Sequence, residues 1–378
     1  MIKVVTVVGT RPEGIKMAPV VHALNRRKEI FKHTLVSTAQ HREMLDSALC
    51  AFGLKPDIDL ELMKPNQQLA HFAANAISTL SELFVQLNPD AVLVQGDTTI
   101  VMAAGLAAFY HGVKVGHVEA GLRSFDRRNP FPEEINRKIT ASVADLHFAP
   151  TERAKANLLK EGVAQESIFV TGNTIVDALQ SIRLEGEFDN PELSSVSTQS
   201  RRLLLVTAHR RENHGAPLAA ISRALKDFVT KFNDIEIIFP VHLNPNVRGP
   251  VRDLLGSAPR IWLTEPLSYP DLLRLMQRCH FILTDSGGIQ EEAPSFHKPV
   301  LILREVTERL EVVEAGAGKI VGTDENLIVQ ETSRLLTDSE TYERMSSAPN
   351  PFGDGGAAER IAQTLEKTLN RSTGPTTG

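Results

Sequence analysis

Hydrophobic positions along the chain alternate between short runs rich in β-branched residues and longer segments with apolar residues every three or four positions. The short runs are typical of strands in parallel sheets, and the longer segments predict amphipathic helices that connect them. QQLAHFAANAISTLSELFVQL is such a helical segment. The predicted strands are IKVVTVV, HTLVST, AVLVQ, VKVGHV, LHFAP and SIFVTG in the first half, and RLLLVT, IEIIFPV, IWLTE, FILTD, PVLILRE and KIVGT in the second.

This alternation predicts an α/β fold with two facing Rossmann-like domains, each built on one doubly wound parallel sheet. The polar stretch GEFDNPELSSVSTQS lies between the halves without an apolar period, which predicts a surface connector. A chain of 378 residues also exceeds what one hydrophobic core usually supports. We expect an N-terminal domain over 1–170, a C-terminal domain over 171–357, and a last helix followed by a frayed tail over 358–378.

Composition and charge limit the possible partners. The chain is 42% hydrophobic and 23% charged, with a net charge of −5, so it should not attract nucleic acid or anionic membranes. Its two cysteines, Cys50 and Cys279, cannot form a disulfide framework, and they lack the spacing of metal ligands. The N-terminal apolar run is too short for a signal peptide, and no segment has the apolar length of a membrane span. These features predict a cytoplasmic protein.

Charged residues and histidines follow many of the predicted strands. Taken singly, each has an ordinary explanation: Asp97 is a possible helix N-cap, the arginines possible surface charges, and His242 a possible core histidine. As a set they fall where ligands bind in open parallel sheets, beyond the carboxyl ends of the strands. The set comprises Arg11, Lys16, Asp97, Glu119, Glu133, Glu134 and Arg137 in the first half, and His209, Arg210, Arg211, His242, Ser286, Thr307, Glu308 and Arg309 in the second.

The turn TDSGGIQEEAP predicts a diphosphate site. Ser286, Gly287 and Gly288 follow a strand and precede a helix, so free backbone amides and the helix dipole both favour an anion there. Glu292 lies four residues beyond Gly288, about 6 Å along the helix axis, where its carboxylate can accept hydrogen bonds from a ribose diol. Glu291 points about 100° away around the helix, and we expect it to be structural.

Neither a common nucleotide cofactor nor a metal is supported. The first turn reads GTRPEG and lacks the G-x-G-x-x-G fingerprint of dinucleotide-binding folds, and no Walker A loop is present. The aspartates and histidines lack a spacing such as H-E-x-x-H. A diphosphate bound without metal needs cations from the protein, for which Arg11, Lys16 and Arg309 are candidates.

The motifs together resemble the non-hydrolysing UDP-N-acetylglucosamine 2-epimerases of bacteria. They occur in that family's order from residue 9 to about residue 355. The resemblance implies the two-Rossmann glycosyltransferase-B type fold, with UDP on the C-terminal domain and a last helix that crosses back to the first domain. The motifs are GTRPEGIKMAP, TAQHREML, GDTT, GHVEAGLRS, PFPEEINR, TAHRREN, PVHLNPNV, TDSGGIQEEAP and TER.

The resemblance implies an isomerase that interconverts UDP-N-acetylglucosamine and UDP-N-acetylmannosamine without NAD or metal. The implied route is anti elimination of UDP to 2-acetamidoglucal, followed by re-addition after protonation on the other face of carbon 2. Such a route needs both a base and an acid around carbon 2. The residues that match the family's catalytic group are Asp97, Glu119, Glu133, His209 and Arg137, and those that match its nucleotide-binding group are Arg11, Lys16, Ser286, Gly287, Gly288, Glu292 and Arg309.

The same resemblance implies that a second UDP-N-acetylglucosamine acts as an activator, that the protein is a homodimer, and that the product supplies cell-surface polysaccharide synthesis. Three alternatives remain open: a glycosyltransferase of the same fold, a 2-epimerase of a modified UDP-N-acetylglucosamine, and a non-catalytic sugar-nucleotide sensor. The positions that match the activator site are Gln40, His41, Gln68, Glu134, Arg210 and His242.

Overall fold

The structure is a computed structural model, and it describes residues 1–38, 42–63, 67–128, 130–182, 184–194 and 201–371. Its contacts divide the chain into two compact units. Unit 1 consists of Met1–Ile182 together with the segment from Phe352 onward, and unit 2 is Arg183–Pro351. Residues 171–182 therefore pack with unit 1, whereas the sequence suggested a boundary after residue 170.

Strands and helices alternate along both units. The strands are β1 Ile2–Val8, β2 Phe31–Ser37, β3 Ile58–Asp59, β4 Ala91–Gln95, β5 Lys114–Val118, β6 Leu146–Ala149, β7 Ile168–Val170, β8 Arg202–Thr207, β9 Ile235–Pro240, β10 Ile261–Thr264, β11 Phe281–Thr284, β12 Val300–Ile302 and β13 Gly318–Ile320. The helices are α1 Arg11–Asn25, α2 Arg42–Ala51, α3 Leu69–Leu87, α4 Thr99–Tyr110, α5 Glu133–Val143, α6 Glu152–Lys160, α7 Thr174–Ser181, α8 Pro191–Ser194, α9 Ala216–Lys231, α10 Pro245–Leu255, α11 Tyr269–Arg278, α12 Gly287–Glu292, α13 Leu310–Glu314, α14 Glu325–Thr337, α15 Ser339–Ser346 and α16 Ala357–Arg371.

Each unit has its own parallel sheet. Over the described residues, the sheet of unit 1 has the order β3-β2-β1-β4-β5-β6-β7, and that of unit 2 has the order β10-β9-β8-β11-β12-β13. Every strand pair in both sheets is parallel. The strand order reverses beside β1 in unit 1 and beside β8 in unit 2, and such reversals create crevices at the carboxyl ends of the strands. The prediction of two parallel-sheet α/β domains is confirmed.

Alternating side chains of β1 show how helices cover both faces of the first sheet. Val4 and Val8 belong to one buried cluster, together with Leu24 of α1 and Ile361 of α16. Val5 and Val7 point to the opposite face, where they join residues of α3 and α4. Burial on both faces explains why five of the seven residues of this strand are apolar. It also shows that the last helix packs within unit 1.

The twelve predicted strands and the predicted last helix are confirmed. The strand β3 was missed because two residues carry no recognisable period. The polar stretch between the halves is more than a surface connector, because it contains α8 and buries Phe188 and Leu193 in unit 2. The tail predicted to fray lies beyond the described residues from position 372. Within the described part of the chain, no helix is long and apolar enough to cross a membrane.

Candidate functional site

The loop after β1 is tied to the loop after β4 by one buried carboxylate, that of Glu13. Its Oε2 accepts a hydrogen bond from the Gly9 amide at 2.6 Å. Its Oε1 accepts from the hydroxyls of Thr10 at 2.9 Å and Thr98 at 2.8 Å. Burial raises the pKa of Glu13 to about 7, although these hydrogen bonds oppose the increase. Gly9 allows the loop after β1 to pack closely against α4, since a Cβ there would lie 2.8 Å from Ile100 Cγ2.

Asp97 is held from several directions in the loop after β4. Its Oδ2 accepts hydrogen bonds from Arg137 Nε at 2.9 Å and Arg137 Nη2 at 2.6 Å. Its carbonyl oxygen accepts a bond from Asn136 Nδ2 at 2.9 Å. The preceding residue, Gly96, has a positive φ of 86°, and its carbonyl oxygen lies 2.8 Å from His117 Nε2. Burial lowers the pKa of His117 to about 3, so this imidazole is neutral and donates its Nε2 proton.

Glu119, directly after β5, occupies an unusual backbone conformation. Its φ is +64°, in the left-handed region that non-glycine residues seldom adopt and that often marks functional positions. The buried carboxylate forms an ion pair with Lys16 of α1 and accepts a hydrogen bond from Gln95 Nε2 at 3.1 Å. Because β4 and β5 are adjacent and parallel, Asp97 and Glu119 leave the sheet at the same edge. Lys16, expected to bind the nucleotide, thus also neutralises a predicted catalytic carboxylate.

The two acids at the start of α5 have different environments. Glu134 is fully buried, and it accepts hydrogen bonds from the amides of Ser124 at 3.0 Å and Phe125 at 3.1 Å and from Arg137 at 3.0 Å. These bonds give Glu134, which matches the activator site, a role in holding the loop before α5. Glu133 is partly exposed, and its Oε2 is enclosed without a hydrogen-bond partner among the described residues. A buried carboxylate oxygen without a donor is unusual in a folded protein.

In unit 2, His209 follows β8 and lies against the buried Asp285. The distance from His209 Nδ1 to Asp285 Oδ1 is 3.3 Å. On its other side, His209 stacks on His242, with ring centroids 5.4 Å apart and planes at 12°. Burial lowers the pKa of His209, and Asp285 opposes that shift. His242 is exposed, and its Nδ1 accepts the amide proton of Asn244 at 3.1 Å.

The Ser-Gly-Gly turn begins α12, as the sequence indicated, but the helix is only six residues long before a 3-10 turn over Ala293–Phe296. The helix starts at Gly287, and the Ser286 side chain makes no capping hydrogen bond. The first amides of a helix have no acceptor within the helix. Gly288 is exposed, and a Cβ there would meet nothing closer than the Ser286 hydroxyl oxygen at 3.9 Å. Space is therefore available in front of these amides.

Arg309 lies beside this turn in a network of alternating charges. An ideal Cβ built on Gly287 would be 3.3 Å from Arg309 Cζ. Arg309 donates from Nε to Glu291 at 2.8 Å, and its Nη1 lies 3.0 Å from Glu308. Burial raises the pKa of Glu308, but Arg309 and Arg304 outweigh burial and hold the value at about 2. The expected structural role of Glu291 agrees with this pairing.

Glu292 is more enclosed than expected. Its side chain is buried, and its Oε1 accepts a hydrogen bond from the Tyr269 hydroxyl at 3.1 Å. Tyr269 begins α11, so this bond joins two helices of unit 2. A carboxylate oxygen can accept more than one hydrogen bond, so this contact is compatible with ribose binding. The contact also gives Glu292 a structural role.

The remaining predicted residues are spread over the loops. Arg11 is the first residue of α1 and is partly exposed, and Gln68 is the N-cap of α3. The Arg210 amide donates to Asp285 Oδ2 at 2.9 Å, and its Nε has no hydrogen-bond partner in the described chain. Gln40 and His41 lie outside the described residues. No group of three His, Cys, Asp or Glu side chains in the described ranges is placed to hold a metal ion.

Three buried positioning residues were missed by the sequence analysis, namely Glu13, His117 and Asp285. All three lie inside quoted motifs, GTRPEG, GHVEAGL and TDSGG, so their positions were visible although their contacts were not. The structure brings two groups together, each within its own unit. Unit 1 gathers Lys16, Asp97, Glu119, Glu134 and Arg137, and unit 2 gathers His209, Arg210, His242, Ser286, Gly287, Gly288 and Arg309.

Comparison with known proteins gives a consistent result along the whole chain. A family model described as UDP-N-acetylglucosamine 2-epimerase matches residues 3–366. The chain is 52% identical over 364 residues to UDP-N-acetylglucosamine 2-epimerase of Bacillus subtilis, covering 96% of this chain and 95% of that protein.

Solved structures agree with the sequence comparison. The structure of Staphylococcus aureus MnaA with UDP is 47% identical, with a TM-score of 0.90, and the match covers 98% of this chain and 97% of that one. The UDP-GlcNAc 2-epimerase of Neisseria meningitidis bound to UDP-GlcNAc is 44% identical, with a TM-score of 0.89, and the match covers 97% of this chain and all of that one. The family match over nearly the whole chain and the high identity to relatives agree with the parallel sheets and the motifs. This chain belongs to the UDP-N-acetylglucosamine 2-epimerase family.

Proposed function

We propose that this chain interconverts UDP-N-acetylglucosamine and UDP-N-acetylmannosamine at carbon 2 without a cofactor. The observation that carries the proposal is the set of three acids with three different environments at one edge of the unit 1 sheet. Asp97 is held by Arg137, Glu119 is paired with Lys16, and Glu133 keeps an oxygen without a partner among the described residues. Titratable groups in contrasting environments are typical of sites that both remove and return protons.

The proposed reaction uses these groups. A carboxylate takes the proton from carbon 2, the bond between carbon 1 and the diphosphate oxygen breaks with its electron pair leaving on UDP, and a double bond forms between carbons 1 and 2. Protonation of carbon 2 on the opposite face, with return of UDP to carbon 1, gives the other epimer. Asp97, Glu119 and Glu133 are proposed to carry these protons, with Arg137 orienting Asp97. The similarity to UDP-N-acetylglucosamine 2-epimerase of Bacillus subtilis, and to related structures bound to UDP and UDP-GlcNAc, supports this reaction.

Unit 2 is proposed to bind the nucleotide. The backbone amides at the start of α12, next to Gly288, suit a diphosphate. The Arg309 guanidinium beside Gly287 supplies positive charge. Glu292 is proposed to bind the ribose, and His209 to assist the departing and returning diphosphate. The proposed nucleotide-binding set remains Arg11, Lys16, Ser286, Gly287, Gly288, Glu292 and Arg309.

We further propose a cytoplasmic homodimer that supplies activated N-acetylmannosamine for cell-surface polysaccharide. An activator site for a second UDP-N-acetylglucosamine at Gln40, His41, Gln68, Glu134, Arg210 and His242 also remains a proposal. Its support differs among positions: His242 is exposed and stacked on His209, whereas the carboxylate of Glu134 is buried and bonded internally.

The test is hydrogen exchange at carbon 2. Purified protein and UDP-N-acetylglucosamine in D₂O, without other additions, should give both epimers with deuterium at carbon 2 by NMR. Asp97→Asn should abolish exchange. Asp145→Asn is a matched control, because Asp145 binds Lys114 and the Val115 amide at the amino ends of β5 and β6. Exchange should survive that change, and absence of carbon 2 exchange in the unmodified protein would refute the proposal.

A further inference from the structure

Asp285 is a fully buried carboxylate with an unequal distribution of hydrogen bonds between its two oxygens. Its Oδ2 accepts three: from the His209 amide at 2.8 Å, the Arg210 amide at 2.9 Å and Asn213 Nδ2 at 2.9 Å. These donors all belong to the loop after β8. They fix the orientation of the carboxylate plane, because rotation would break three bonds at once.

The second oxygen, Oδ1, has no hydrogen-bond partner within the described residues. It lies 3.3 Å from His209 Nδ1. A buried carboxylate oxygen without a donor is costly, and an imidazole N–H directed at it would relieve that cost. With the proton on Nδ1, the lone pair of the neutral ring is on Nε2, away from the carboxylate.

We propose that Asp285 is a positioning residue that holds the proton of His209 on Nδ1, stabilises its imidazolium form, and leaves Nε2 to meet the nucleotide diphosphate. This inference rests on the proposed function for the role of His209 in the reaction. Ser286 follows Asp285 directly and is the residue at the N-cap position of α12. One carboxylate therefore joins the loop carrying the catalytic histidine to the turn proposed to hold the diphosphate.

The groups that face His209 set its charge. Burial favours the neutral ring and is the largest influence, Asp285 and Glu212 favour the cation, and Arg210 and His242 oppose it. The net result is a lowered pKa of His209, which favours the neutral ring. A bound diphosphate adds negative charge beside Nε2, which shifts the balance towards the imidazolium paired with Asp285.

The first experiment records the tautomer of His209 in the full-length protein by ¹⁵N NMR of the ring nitrogens. The expected result for the unmodified protein is a proton on Nδ1. In Asp285→Asn, the amide oxygen can still accept the three hydrogen bonds if it takes the position of Oδ2. The NH₂ group then takes the position of Oδ1 and faces His209 Nδ1. The proton should then move to Nε2, and the pKa of His209 should fall below its value in the unmodified protein. A proton already on Nε2 in the unmodified protein would overturn the inference, whether or not the variant folds.

The kinetic result separates positioning from binding. Asp285→Asn should lower kcat by about 100-fold or more, by analogy with loss of the histidine-orienting acid in hydrolytic triads, while the Kd of UDP changes only a few-fold. The pH profile of kcat should change shape with the altered histidine pKa. An unchanged tautomer together with an unchanged pH profile in the variant would contradict the inference.

Asn213→Ala is the control for loop integrity. It removes a donor to the same Oδ2 and a second bond to the Leu303 carbonyl oxygen at 3.0 Å, but it leaves Oδ1 facing His209. We expect a lower Tm with the proton retained on Nδ1. If this variant shifted the tautomer as Asp285→Asn does, loop order would be the cause and the inference would fail. Failure of the proposed function appears separately, as absent carbon 2 exchange with the tautomer result intact.

Discussion

Arg137 binds a single oxygen of Asp97 with two of its nitrogens, at 2.9 Å from Nε and 2.6 Å from Nη2. Its third nitrogen, Nη1, donates to the buried Glu134 at 3.0 Å. Both hydrogen bonds from Arg137 to the Asp97 side chain fall on the same oxygen, Oδ2. The rigid guanidinium thus fixes a carboxylate that follows β4 relative to helix α5.

Arg137→Lys should lower kcat by about 10- to 100-fold with a smaller effect on KM. An ammonium group cannot reproduce the planar arrangement that contacts Asp97 twice and Glu134 once, so Asp97 loses its fixed orientation. Steady-state kinetics and carbon 2 exchange measure this effect. Because the lysine retains the positive charge, the loss would report geometry and not net charge.

Arg123→Lys provides the matched control. Arg123 is also buried and binds the carboxylate of Glu161 at 3.0 Å from Nε and 2.6 Å from Nη2, in unit 1 but without contact to a predicted catalytic side chain. Both variants should have a lower Tm, but only Arg137→Lys should lose kcat substantially. Equal kcat values for the two variants would show that Arg137 is a scaffold residue.

Gly288→Ala tests the diphosphate site with little risk to the fold. An added Cβ would meet no atom of the described chain closer than 3.9 Å, and alanine is the better helix former. The methyl group would occupy the space in which a phosphate approaches the amides, so the Kd of UDP should rise by about tenfold or more, or about 1.4 kcal/mol. Isothermal titration with UDP measures this change.

Uridine is the matched ligand control, since it lacks the phosphates. Its affinity should be nearly equal for the unmodified protein and Gly288→Ala, and the Tm should stay within a few degrees. Unchanged UDP affinity in a folded variant would place the diphosphate elsewhere.

Local patterns predicted the strands, because a strand buried on both faces is apolar along its own length. They also indicated the loops that carry chemistry, because a residue after a strand is visible in the sequence. The contacts that orient those residues were not visible. Glu13 and its hydrogen-bond donor Thr98 are 85 residues apart in sequence, and Asp285 and the His209 amide are 76 residues apart. Isolated apolar residues such as Phe188 also leave no period, which is why the polar stretch between the halves was taken for a connector.

The burial of Glu292 changes what a substitution should do there. The sequence alone assigned Glu292 to ribose binding, which predicts that Glu292→Ala weakens nucleotide binding. Its hydrogen bond from Tyr269 predicts that removal also destabilises unit 2, by about 1 to 3 kcal/mol, because a buried hydroxyl loses an acceptor. Tyr269→Phe removes the donor of the same hydrogen bond and should lower the free energy of unfolding by about 1 kcal/mol.

Comparing the two variants separates structure from binding. Thermal or denaturant unfolding should show a loss in both, whereas UDP affinity should fall markedly only in Glu292→Ala. Equal UDP affinity in the two variants would remove Glu292 from the nucleotide site.

Glu13 should make the stability of unit 1 decrease as pH rises. Its folded pKa of about 7 exceeds the ordinary value of 4.5, so between these values the folded protein keeps a proton that the unfolded chain releases. The free energy of unfolding should therefore fall by up to about 1.4 kcal/mol per pH unit in this window. Glu13→Gln removes that slope, which denaturant titrations from pH 4.5 to 7.5 would reveal. Parallel stability curves for the two proteins would contradict the raised pKa.

His117, whose ring contacts the Gly96 carbonyl oxygen, should have the opposite pH dependence. Its folded pKa of about 3 lies below the ordinary 6.5, so the unfolded chain binds a proton that the folded protein excludes. Stability from the neutral ring is complete above pH 6.5 and is lost as pH falls towards 3, at up to about 1.4 kcal/mol per unit.

His117→Gln isolates this contribution because a glutamine amide can still donate to the Gly96 carbonyl oxygen without titrating. Its stability should decline less steeply than that of the unmodified protein between pH 6 and 4. The free energy of unfolding of His117→Gln should still fall somewhat with decreasing pH, because the pKa values of His33, His147 and His280 are each lowered to about 4. His111→Gln, at an exposed position, controls for loss of a histidine and should follow the unmodified protein. If the stability of His117→Gln had the same pH dependence as that of the unmodified protein, His117 would not be the buried neutral donor that holds Gly96 beside Asp97.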